Sequence, residues 1–150
     1  MRFTEHGTLE YVLPEELSKP ATNPPIFQLR VICPSIPHWP IKFQPNVERL
    51  PPSGKLSPIT LGDILARIYY CMNLPIREAD WNRLPEGYKP AVVNAFHKRC
   101  KLSGAAVKEE TSKGVKRIDF CGELVWLKNL ISTQTWHGLP IAELVLFEGI

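Results

Sequence analysis

No run of this chain approaches the ~18 apolar residues of a membrane span, and no cationic start leads into an apolar stretch. The expectation is a protein without signal peptide or transmembrane segment. Only four cysteines are present, Cys33, Cys71, Cys100 and Cys121, far apart and with no C-x-x-C pair. That usage fits a reducing cytoplasmic or nuclear setting, with the thiols as small buried hydrophobes. A net charge of +3 is too small to imply a polyanionic partner. No Gly-rich strand-to-helix turn offers a phosphate cradle, no Gly-x-Ser-x-Gly elbow presents a nucleophile, and no repeat or low-complexity block occurs.

What is present suits one domain. At 150 residues, 44% hydrophobic and 22% charged, the chain buries enough surface to fold without staples. Proline is in excess: eleven of the fifteen lie from Pro14 to Pro58, so the first third is expected to be extended and loop-like. Residues 1–25 read as a proline-rich N-terminal arm and 26–150 as the domain.

The best-marked element spans residues 59–72. Thr60 is a helix N-cap, Asp63 three residues on is a weaker stand-in for the Glu or Gln of a capping box, and Ile59 can staple onto Ile64. Leu61, Ile64, Leu65, Ile68 and Met72 form the apolar stripe, with Asp63, Arg67 and Tyr70 opposite. Such a stripe needs a second layer, which only strands can supply here. Residues 26–33 and 39–44 alternate as strands, Pro40 placing the second at an edge or a bulge, and 46–58 reads as a surface loop.

Further along, 76–84 is expected to be a short helix. A longer one starts at Pro90, with Val92 or Val93, Phe96 and Cys100 as its stripe and Gly104 as its stop. Residues 105–113 read as a charged loop. Residues 116–121 read as a strand with Ile118 and Phe120 inward, and Arg117 and Asp119 together on the other face. The run 124–131 is apolar on both parities, which does not separate helix from strand; strand is the expectation. Residues 133–140 read as a loop and 144–147 as a last strand.

Five pieces then succeed one another in an ordered series: Pro20-Ala-Thr-Asn-Pro-Pro25, His38-Trp39-Pro40-Ile41, Ile59-Thr-Leu-Gly-Asp-Ile-Leu65, Ala95-Phe-His-Lys-Arg99 and Gly114-Val-Lys-Arg-Ile-Asp-Phe120. This series resembles a fungal, basidiomycete family catalogued as domain of unknown function 6699, over roughly residues 20–147. A later segment of that family is matched only by Trp136-His-Gly-Leu139. The resemblance implies a compact α+β domain and carries over no catalytic residue.

Each chemical motif has a plainer reading beside it. His97 and Cys100 share a helix face, but a structural zinc site needs a second ligand pair, so core packing explains Cys100 better and no metal or cofactor is expected. A Cys or Ser with His137 or His38 and Asp119 makes a triad only on paper, and no catalytic residue is assigned. Between positions 97 and 117 seven Lys or Arg face Glu109 and Glu110, a local excess of five positive charges. Part of it, Lys98 to Lys101, is explained by helix C-terminal electrostatics, which leaves nucleic acid as the third reading. Arg117 and Asp119 read first as a structural ion pair and second as a ligand floor.

The expected fold is therefore α+β: a small, mainly antiparallel sheet with two principal helices on one face and the arm across its edge. The leading functional reading is a non-catalytic protein interaction or self-association module working through a sheet edge or a tryptophan patch. The alternative is a small-molecule-binding protein or enzyme with a pocket between sheet and helices. Trp39, Arg117, Asp119, Trp126, Trp136 and His137 are the candidate ligand or partner contacts.

Overall fold

A computed structural model describes residues 2–3, 9–10, 13–44, 52–122, 124–136 and 139–148; side chains at 2–3, 9–10, 124–130, 132–136 and 147–148 lie outside that description. Among the described residues six strands, β1 (Arg2–Phe3), β2 (Leu9–Glu10), β3 (Leu29–Ile32), β4 (Ile41–Phe43), β5 (Leu124–Trp136) and β6 (Leu139–Glu148), accompany five α-helices. The helices are α1 (Pro14–Leu17), α2 (Leu61–Met72), α3 (Glu78–Arg83), α4 (Lys89–Leu102) and α5 (Val107–Ser112). The fold is α+β.

The main sheet has the order β4-β3-β6-β5, antiparallel except where β3 runs parallel to β6. Its inner face follows from alternation: Leu29 and Val31 on β3, Ile41 and Phe43 on β4, and Ala142 and Leu144 on β6 are all buried. The stripe of α2, Ile64, Ile68 and Met72, joins the same core cluster. Burying both faces is what stabilises the pair of layers.

The start of α2 is as the sequence dictates. Thr60 Oγ1 accepts the Asp63 N–H at 3.1 Å, and Asp63 Oδ2 accepts the Thr60 N–H at 2.9 Å. Tyr69 and Tyr70 stay on the outer face, exposed. At the far end the segment after Asn73 is tied to the chain ahead of Cys121: Arg117 N–H donates to Leu74 O at 3.0 Å and Ile76 N–H to Val115 O at 3.2 Å. The helix thus holds both its neighbours in place.

Three expectations are corrected. Residues 116–121 are not a strand: Asp119 Oδ2 accepts the backbone N–H of Lys116 at 2.9 Å and folds the chain into a 3-10 helix, Arg117–Cys121. Ile118 and Phe120 still pack on the core, which is why a two-residue period looked convincing. The charged loop at 105–113 is a 3-10 turn, Gly104–Ala106, followed by α5, whose first turn carries Glu109 and Glu110 at the favourable end of the helix dipole. The loop at 133–140 belongs instead to a β5–β6 hairpin, in which Trp136 pairs with Leu139.

Helix α4 buries Val92 and Cys100 and contacts the 3-10 helix Arg117–Cys121 and α5, so it joins the sheet layer indirectly. The described part of the arm lies along the start of α2, with Ala21 N–H donating to Ile59 O at 2.9 Å and Leu61 N–H to Lys19 O at 3.1 Å. Close approach there uses Gly62, where a Cβ would stand 3.0 Å from Leu17 O. Among the described residues the arm pairs with no strand of the main sheet.

Candidate functional site

The turn after β3 prepares one surface. Ile36 N–H donates to Cys33 O at 3.0 Å and Trp39 N–H to Ile36 O at 3.1 Å, which drives Ile36 into the core and leaves His38 and Trp39 at its margin. Trp39 meets Phe120 edge-on at 5.1 Å, and the Arg117 guanidinium lies 5.1 Å over the Trp39 ring. His38 flanks the same ring at 4.1 Å. Arg117 Nε is buried without a hydrogen-bond partner. The result is a cation held against an aromatic face, a contact suited to planar or acidic groups.

Asp119 turns the other way. It is 2% exposed and accepts Arg99 Nε at 2.8 Å and Nη2 at 2.9 Å, a bidentate pair. Arg99 Nη1 also donates to Glu110 Oε2 at 2.8 Å, and Nη2 to Gly114 O at 3.0 Å. Lys116 Nζ donates to the same Glu110 oxygen at 2.8 Å and to Asn73 Oδ1 at 3.3 Å. The hydrogen bonds from Lys116 and Lys113 hold the Glu110 carboxyl down at about 2, and the Asp119 carboxylate raises Arg99 above its ordinary value. This network joins α4, α5, the end of α2 and the 3-10 helix. Its groups are mutually satisfied, so it braces the structure and offers little to a substrate.

The six sequence candidates therefore separate. Trp39 and Arg117 come together; Asp119, expected beside Arg117, is engaged by Arg99. Trp126 and Trp136 are placed in β5, with side chains outside the description, and His137 lies outside the described residues. Sequence reading missed Arg99, Glu110 and Lys116 as one cluster, although the basic window and its two glutamates were visible. Only folding of 105–113 into a helix turns those glutamates toward the cations.

A hollow of about 570 Å³ opens between α4 and α5, lined by His97, Lys98, Cys100, Lys101, Val107 and Thr111. Among the described residues no group of three or more His, Cys, Asp or Glu is placed to hold a metal ion, and no helix is long and apolar enough to cross a membrane.

The remaining feature is an edge. β4 ends one side of the sheet with three residues directly after Pro40, a short edge of the blunted kind. β5 ends the other side with thirteen residues, and among the described residues no strand pairs with its outer side. Ile131 on it is 48% exposed.

An α+β domain braced by part-buried ion pairs, with β5 unpaired on its outer side among the described residues, is the result. The model of the Family of unknown function (DUF6699) matches residues 2–137, and the chain belongs to that family. No curated protein and no solved structure matches it.

Proposed function

We propose that this chain, of fungal and basidiomycete origin as the family resemblance implies, is a non-catalytic interaction module that self-associates through β5. The observation that carries the reading is the length of β5, thirteen residues at a sheet edge whose opposite counterpart is three residues long. An unpaired edge presents a row of backbone donors and acceptors that another strand can complete. A second copy of the same strand, antiparallel about a two-fold axis, is self-complementary and closes the assembly at a dimer. Register shifts between Leu127/Asn129 and Ser132/Gln134 leave residues 129–132 as the continuous run, centred near exposed Ile131. Pairing is expected there, because bulges interrupt a ladder.

The satisfied state of the basic window argues against the nucleic-acid reading. Arg99, Lys113 and Lys116 are engaged by Asp119, Glu109 and Glu110 and do not form a free stripe for phosphates. Among the described residues, the small-molecule alternative keeps one specific observation, the Arg117 guanidinium on Trp39 with an unpartnered Nε. A carboxylate-bearing ligand would suit that pair.

Hydrogen exchange at two protein concentrations tests the main reading. Amides within residues 129–132 should gain protection as concentration rises, while those of β4 do not change. Uniform exchange of β5 at all concentrations would remove the proposal.

A further inference from the structure

Helices α4 and α5 pack together and enclose the hollow of about 570 Å³ between them. The 3-10 turn Gly104–Ala106, which starts at a φ of 57°, joins the two. His97, Cys100 and Lys101 stand three and four residues apart on α4, and Val107 and Thr111 four apart on α5, so each set shares one face of its helix. Lys98, three residues before Lys101, completes the lining. Cys100, 4% exposed, and Val107 supply apolar surface, while Lys98 and Lys101 supply positive charge. Among the described residues that line the hollow there is no carboxylate. The two glutamates of α5 are engaged by other cations, Glu109 by Lys113, and Glu110 by Arg99, Lys113 and Lys116.

We propose that this hollow binds a small amphiphilic carboxylate, with its apolar body against Cys100 and Val107 and its charge at Lys98 and Lys101. Electrostatics at the end of α4 account for lysines there, but not for an apolar floor beside them. The volume lies within the ~300–1,000 Å³ of small-ligand sites, which combine apolar walls with a few polar groups. Both halves of the ligand are needed. A purely inorganic anion leaves the apolar floor wet, and a neutral apolar molecule gains nothing from the lysines. Thr111 donates its hydroxyl proton to Val107 O at 2.7 Å, so recognition of the anion falls to the cations. The hollow shares no residue with β5, so binding here is independent of self-association.

The test titrates the full, isotope-labelled chain with octanoate and follows backbone amides by NMR, with acetate and octanol as separate arms. Octanoate should produce saturable shifts at residues 97–111, weakened by added salt, and acetate and octanol should each bind at least about tenfold more weakly. Lys101→Glu and Val107→Asp should each lower the octanoate affinity about tenfold or more. Lys101 is exposed, and an acidic residue suits the first turn of α5, so both variants should keep the fold. Lys55→Glu, the same charge reversal at an exposed position outside the hollow, should leave the affinity unchanged. The proposal is overturned if octanoate gives no saturable shifts at 97–111, if its shifts spread over the whole chain, if octanol binds as tightly, or if Lys101→Glu binds like the wild type.

Discussion

Arg99 commits its guanidinium to Asp119, Glu110 and the carbonyl of Gly114, and Asp119 is almost wholly buried. Replacing a buried ion pair by apolar groups is often neutral, yet removing one partner strands the other. Arg99→Ala should therefore cost about 3 kcal/mol in chemical denaturation, and a loss below about 1 kcal/mol, the range of exposed pairs, would show that solvent screens it. Glu110 gives a pH signature. Its carboxyl is lowered from 4.5 to about 2 in the fold, chiefly by Lys116. A depressed carboxylate contributes stability that is complete above the unfolded value and lost as pH falls through the folded one. Thermal midpoints should thus fall from about pH 4.5 towards 2 in the wild type, and less steeply in Glu110→Gln. Equal slopes would exclude Glu110 as the cause. None of this was legible from local pattern. Arg99 and Asp119 stand twenty positions apart, and alternation around Asp119 suggested a strand because Ile118 and Phe120 do pack inward.

At the scale of elements, legibility tracks how local the causes are. The capping box of α2 needs only Thr60 and Asp63, and both of its hydrogen bonds are present. Its stripe needs only a period, and Ile64, Ile68 and Met72 are buried. Ile64→Asp places a charge on a side chain that is 3% exposed, so the folded state should lose several kcal/mol, about 3 or more. Circular dichroism and a melting curve check this, and an unchanged midpoint would contradict the burial of that face. The 3-10 helix and α5 were misread for the opposite reason. Each depends on a carboxylate reaching backward or across: Asp119 to the Lys116 N–H, and Glu110 to Lys116 and Arg99. A side chain that bends the chain leaves no periodic mark.

Across the whole molecule, the strands were mostly visible and their order was not. β3 and β4 lie within the alternating segments and β5 begins with the apolar run but continues to Trp136 through the expected loop, and the parallel contact of β3 with β6 joins Arg30 to Ile141, a pairing that no local rule encodes. That order decides the functional argument, since it puts the three-residue β4 and the thirteen-residue β5 at opposite edges. The arm adds to it by lying against α2 and leaving the long edge open among the described residues. Light scattering across a concentration series, on the wild type and on Ile131→Lys, tests this most directly. Ile131 is exposed, so lysine there should spare the fold while blunting the edge. The wild type should form a dimer that dissociates on dilution, and Ile131→Lys a monomer with an unchanged melting midpoint. A wild-type chain that stays monomeric at every concentration would contradict it.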